Sequence, residues 1–208
     1  MCETVGDVDA LVVNGDICDG VNRKQKGEHI ELDVKDQILE AVELLGRIDA
    51  KKIYGTQGTG YHSDSNPSND WFVINKLGGE FGHEQVINVD KKRFHFSHKV
   101  GVSGSGQMYH GTPLSKEQMV AKLNKESMGK FDFIIRSHAH YFYYTGSKST
   151  LAAITPCWKG RDPFVQEHSL KWNPDIGYLV FEVEGDKWSW SHFVENLTQN
   201  QLFTEHKV

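Results

Sequence analysis

Apolar residues along the chain fall into short runs that break at glycine, asparagine or aspartate, with stretches of helical spacing between them. The run at 10–14 (Ala10, Leu11, Val12, Val13, Asn14) ends abruptly in Gly15-Asp16-Ile17-Cys18-Asp19-Gly20. It reads as a buried strand that delivers a carboxylate to the edge of a sheet, where open α/β sheets bind ligands. Ile38, Leu39, Val42 and Leu45 then recur at helical spacing within 32–45, and Gly46 stands where a C-cap belongs. Residues 51–54 read as a second strand entering the glycine-rich stretch 55–62. Strand, helix, strand is the unit that parallel pairing requires.

Further on, Asn66-Pro67 predicts a helix start, with Asn66 as cap, and a helix running through Trp71, Phe72, Ile74 and Leu77 to Gly78-Gly79. Strands are predicted at 85–89 and 93–98. In the second, Phe94, Phe96 and His98 share a face, which directs His98 inward and turns His95 away. The glycine-serine stretch 101–106 predicts a mobile loop, either a plain surface loop or a flap. Ser115 and Gln118 predict a capping box for a helix whose Met119, Val120 and Leu123 are expected in the core. Phe131-Asp132-Phe133-Ile134-Ile135 is another apolar strand, ending in Arg136-Ser137-His138-Ala139-His140. Beyond it the pattern is of strands, at 141–144, 150–155, 178–184 and 188–194, the last pair joined by a tight turn at Glu184-Gly185-Asp186-Lys187. Trp158, Trp172, Trp188 and Trp190 are expected to pack.

Composition narrows the class. A chain of 208 residues, 38% hydrophobic and 25% charged, suits a single globular domain over 1–208, and no apolar run approaches the roughly 20 residues of a membrane helix. With no secretory pattern at Met1-Cys2-Glu3-Thr4, a cytoplasmic location is the default expectation. Cys2, Cys18 and Cys157 show no paired spacing and are expected as reduced thiols. The 23 basic against 28 acidic residues give a net charge of -5, which does not favour a nucleic-acid substrate, although a metal cluster would supply its own local positive charge. The segment 22–26 (Asn22, Arg23, Lys24, Gln25, Lys26) is polar and basic, as either a solvated loop or an anion-accepting one would be.

The candidate chemistry lies at the ends of the apolar strands. A lone Gly-Asp also makes an ordinary turn, and a lone interior histidine also serves as a hydrogen-bonded core residue. Asp16 together with the His138-x-His140 pair is more specific, because residues two apart on a strand face one way and oxygen and imidazole donors from two strands can share a metal.

These residues resemble the calcineurin-like metallophosphoesterase family, whose motifs run Asp-x-His, Gly-Asp-x-x-Asp, Gly-Asn-His-Asp, a single His, and Gly-His-x-His. Here the order survives as Gly15-Asp16-Ile17-Cys18-Asp19, a variant Gly55-Thr56, His98, and Ser137-His138-Ala139-His140, over the chain up to about Tyr144. The resemblance implies an α/β fold, a double β-sheet sandwich flanked by helices, here without the family's first strand and its Asp-x-His. It implies two divalent transition-metal ions (manganese, iron or zinc), or a single ion where the first site is incomplete. Asp16 would bridge them, with His98 and His138 on the second ion and His140 on the first. The implied activity is hydrolysis of a phosphomonoester or phosphodiester by metal-activated water. The alternative is a non-catalytic metal- or partner-binding remnant of the fold; an amidohydrolase-type zinc enzyme rests on His-x-His alone. Thr56 stands where the family has its metal-binding Asn. His62 is the candidate catalytic residue, as general acid, anion binder or replacement ligand, or else is an exposed loop histidine. Asn14 and Asp19 are candidates for orienting ligands or substrate.

Overall fold

The computed structural model describes residues 6–21, 31–63, 66–101, 109–160 and 174–195. Three sheets make up its β structure. β1 (Val8–Val13) pairs in parallel with β2 (Ala50–Thr56), which pairs in parallel with β3 (Glu80–Gly82). The largest sheet has the order β4-β5-β6-β8-β7, formed by β4 (Glu84–Val89), β5 (Lys92–Ser97), β6 (Phe133–Arg136), β7 (Tyr143–Ser147) and β8 (Thr150–Ile154). Its central strands β5, β6 and β8 are parallel and its outer pairs antiparallel. β9 (Ile176–Glu184) and β10 (Lys187–Glu195) form the expected hairpin, with Glu184 opposite Lys187 and Gly185 at φ 61° in the turn. Among the described residues, no helix is long and apolar enough to cross a membrane.

The five-stranded sheet is buried on both faces. One face, formed by Phe94, Phe96, Phe133, Ile135, Leu151 and Ala153, meets Val12 and Tyr54 of the three-stranded sheet and Leu179, Phe181, Val183, Trp188 and Trp190 of the hairpin. Phe133 lies at the centre of this sheet-on-sheet core, stacked on Phe94 and edge-on to Phe181 and Trp188. The other face, with Phe131, Ile134, Ala152 and Ile154, is covered by Leu114 of α3 (Gly111–Leu123); the short α4 (Lys125–Met128) follows. α1 (Val34–Leu45) and α2 (Asn69–Lys76) enclose a smaller cluster around Ile38, Val73 and Cys18, where Cys18 is a buried free thiol. Layered sheets with helices outside give the metallophosphoesterase-like double sandwich.

Several local expectations are corrected. The second helix starts at Ser68, not at Asn66-Pro67: the Ser68 hydroxyl accepts the Trp71 N–H at 3.2 Å and caps the helix. Ser115 heads no capping box; it lies inside α3, its hydroxyl donating to the Gly111 carbonyl at 3.0 Å, while the Gln118 amide donates to the Thr145 carbonyl. Met119, Val120 and Leu123 do share a helix face, but that face is exposed. Helical spacing identifies a face without identifying what it meets. Here the inward side is chosen by Leu114 and by Glu117, whose carboxylate accepts a hydrogen bond at 2.8 Å from the buried Arg136 guanidinium. His95 is also buried, against the expectation that it turns outward. Alternation separates polar from apolar only where one face of a sheet is wet, and here His95 is stacked on Phe131 and held between Glu84 (2.9 Å) and Arg136 (3.2 Å). Trp158 is exposed instead of packed in the core, and Trp172, residues 22–26 and most of the glycine-serine stretch lie outside the described residues.

Because Phe133 is about 1% exposed and joins both sheets and the hairpin, Phe133→Ala is expected to destabilise the fold by about 3–5 kcal/mol. Urea denaturation would show this as a lower midpoint.

Candidate metal centre

The candidate site residues gather at the C-terminal ends of parallel strands and in the loops these feed: Asn14, Asp16 and Asp19 after β1, Thr56 as the last residue of β2 and His62 after it, His98 after β5, His138 and His140 after β6. Asn14 ties these ends together. Its side-chain amide donates to the Ser97 carbonyl (3.1 Å) and the Ser137 hydroxyl (2.8 Å), and its oxygen accepts from the Thr56 hydroxyl (2.8 Å). Ser137 in turn meets Thr155 at 2.8 Å. Asn14 therefore connects four strand ends, and the fully buried Thr56 hydroxyl is committed to it.

Asp16, His98 and His138 come together, with one potential ligand atom from each lying within 4.8 Å of the others. Asp16 divides its oxygens between two tasks. Oδ1 accepts the Thr59 N–H (2.5 Å), and the Thr59 hydroxyl lies within reach of both oxygens (3.0 Å to Oδ1, 3.1 Å to Oδ2), fixing the β2 loop. Oδ2 faces His98 Nε2 at 2.8 Å and His138 Nδ1 at 4.0 Å. The His98 tautomer follows from its other nitrogen, since Nδ1 lies 2.6 Å from the Asn14 carbonyl, which can only accept. Nδ1 carries the proton and Nε2 presents a lone pair. That Nε2 is buried and has no aligned hydrogen-bond partner, although Asp16 Oδ2 stands 2.8 Å away. With the ring neutral two electron-rich atoms face each other, and a second ring proton or a metal cation between them reconciles the arrangement. One carboxylate and two imidazoles suit a divalent transition metal, and a backbone carbonyl orienting the ligating imidazole is a common arrangement around such ions. The donor set thus fits a metal that Asp16, His98 and His138 would hold.

The backbone is specialised to the same end. Asp16 (φ 51°), His138 (φ 70°) and His140 (φ 58°) all adopt the left-handed region, uncommon outside glycine, and they are three of the four described non-glycine residues that do so. Gly58 packs so closely on the Asp16 carboxylate that a Cβ there would collide with it, and Gly20 packs equally closely on the His62 carbonyl.

Sequence reasoning missed Asp70 and Thr59. The Asp70 carboxylate, 2% exposed at the start of α2, accepts the Ile17 and Gly58 N–H groups at 2.8 Å each and clamps the β1 and β2 loops around Asp16. Burial pushes its pKa up, and the charge on Asp16 adds to this against the backbone hydrogen bonds. Its one sequence signal was an acid in the first turn of a helix, which is common. For Asp16 itself, burial also acts to raise the pKa, but the His138 and His98 rings and the Thr59 N–H outweigh it and hold the carboxyl well below its usual range. Conversely, burial acts to lower the His98 pKa, and the Asp16 carboxylate, the Asn14 carbonyl and the Asp70 charge together raise it.

The remaining candidates are less central. His140 does not join the close triad; burial, and then the charge of Lys159, lowers its pKa to about 4. His62 is not the exposed loop residue that its glycine-rich surroundings suggest. Its side chain is 14% exposed, Nδ1 meets the Asp19 carbonyl at 3.0 Å, and Nε2 lies 3.9 Å from Asp16 Oδ2. Asp19 faces outward and accepts a hydrogen bond from Lys159 at 2.8 Å.

The fold is metallophosphoesterase-like, and the described residues hold one candidate metal triad. Similar solved structures include Vps29 from Chaetomium thermophilum, with a TM-score of 0.51 and 10% identity over 92% of this chain and 90% of that one. They also include Vps29 from Entamoeba histolytica complexed with zinc (TM-score 0.46, 14% identity, 89% and 98% covered) and an archaeal phosphodiesterase (TM-score 0.43, 11% identity, 89% and 99% covered). At 10% identity the likeness to the Chaetomium thermophilum structure is one of fold. No protein-family model and no curated protein matches the chain.

Asp16→Asn and His98→Ala are each expected to abolish stoichiometric metal uptake, while His95→Ala, remote from the triad, should retain it; elemental analysis after gel filtration decides. Uptake should also release protons. The His98 ring binds its proton more tightly than an ordinary imidazole in the metal-free protein, so affinity should rise with pH through the imidazole range and level off above it. Titrations at several pH values with a proton-sensitive dye would show this.

Proposed function

We propose that this protein is a metal-binding module of metallophosphoesterase-like fold, in which Asp16, His98 and His138 hold a single divalent transition-metal ion and binding, instead of efficient two-metal hydrolysis, is the function. One observation carries the reading: the described residues build one triad, around an orphaned His98 Nε2, and no second. Two-metal hydrolysis requires a water clamped between ions about 3.5–4 Å apart. Of the groups the resemblance gives to the other ion, Asp16 is shared with the triad and His140 lies outside it.

Phosphoester hydrolysis at a single ion is the second reading, and His62 favours it. Sheltered and 3.9 Å from Asp16 Oδ2, it stands where a general acid or an anion binder beside the ion would stand. The two readings part in one experiment. Loaded with manganese or zinc, the protein is expected to hold about one ion per chain and to leave a chromogenic phosphodiester unhydrolysed beyond the free-metal control. Turnover above that control that falls in His62→Ala, with one ion bound or two, would establish the enzyme and overturn the module.

A further inference from the structure

The metal triad is closed on one side and open on the other. Asp16 and His98 form the floor, their side chains 8% and 3% exposed, while His138 at 29% faces solvent. Lys159, in the segment after β8, is partly exposed and is linked to the triad through Asp19 and His62. Its ammonium bonds Asp19 Oδ1 at 2.8 Å, His62 Nδ1 lies 3.8 Å from that same oxygen, and His62 Nε2 is 3.9 Å from Asp16 Oδ2. Lys159, Asp19, His62 and Asp16 thus form one line from rim to floor. Lys159 is anchored beside the His-x-His segment, because the Cys157 thiol bonds the Lys159 carbonyl (3.2 Å) and approaches that of His140 (4.0 Å).

This rim concentrates an ammonium and imidazoles around the open face of a protein whose net charge is -5. Its accessible carboxylate, Asp19, 44% exposed, is partnered by Lys159, itself 29% exposed. An ion pair this accessible is weak, so an incoming dianion can compete with Asp19 for the ammonium. A terminal phosphate suits the rim, having a full second charge and several acceptor oxygens for separate donors, whereas a diester has one charge and fewer free oxygens.

We propose that Lys159 is the anion-selecting residue of this site: its ammonium leaves Asp19 to take a doubly charged terminal phosphate group, favouring terminal phosphates over diesters. The proposal rests on the metal-binding reading above.

The test is calorimetric titration of the metal-loaded protein with inorganic phosphate, phenyl phosphate and diphenyl phosphate, with metal content measured for every variant. Both terminal phosphates should bind and the diester should bind far more weakly; the better of the two terminal ligands identifies a free ion or an ester as occupant. Lys159→Met should weaken terminal-phosphate binding roughly 10- to 100-fold with metal content unchanged. Lys159→Arg should restore most of it, and Asp19→Asn, which removes the competing carboxylate, should tighten it. If Lys159 is merely a structural strap, Lys159→Met and Asp19→Asn will lower the melting temperature alike and neither will alter phosphate selectivity, which overturns the proposal. Metal uptake without phosphate binding overturns it while leaving the metal-binding reading intact. A protein that takes up no metal overturns both.

Discussion

A carboxylate largely withdrawn from water must be compensated where it stands, and the arrangement around Asp16 is organised by that requirement. One of its oxygens accepts the Thr59 N–H, the other faces two imidazoles, and the Thr59 hydroxyl reaches both. The consequences spread outward. Thr59 must sit on a loop tight enough to approach, which requires glycine at position 58. That loop must be held, which Asp70 does through the amides of Gly58 and Ile17. Asp70 in turn needs the start of α2 at the end of β2. A buried charge thus dictates the placement of a helix, two loops and a second buried acid.

Asn14 does for the sheets what Asp70 does for the loops. The three-stranded and five-stranded sheets meet through nonspecific apolar packing around Phe133 and Val12, which tolerates sliding. The amide of Asn14, with donors and acceptors directed at Thr56, Ser97 and Ser137, does not. Its carbonyl also selects the tautomer of His98. One residue therefore sets both the relative position of the sheets and the chemical state of a candidate ligand.

Much of this was legible in the sequence where an apolar run ends in a chemically distinctive residue. The strands leading to Asp16 and to His138 are short, apolar and sharply terminated, and the parallel β1–β2 pair follows from strand, helix, strand. Failures came where a local pattern has two tertiary outcomes. The stripe of Met119, Val120 and Leu123 marks a helix face correctly, but a buried Arg136 seeking Glu117 turned the other face inward. His95 alternates as expected, yet a sheet covered on both sides buries both sets of side chains. Asp70 was invisible because an acid in the first turn of a helix is commonplace; only the proximity of the β1 and β2 loops, which is long-range, makes it a clamp.

The three members of the triad come from the ends of β1, β5 and β6, far apart in the chain, and this bears on the order of assembly. Ligands spaced a few residues apart can seize an ion in a disordered chain and nucleate structure around it. Here the entropy of closing long loops must be met by strand pairing and sheet docking before carboxylate and imidazoles meet. An ion would therefore arrive late, as a latch on a finished scaffold: it would slow the opening of the native state while leaving the rate of folding nearly unchanged.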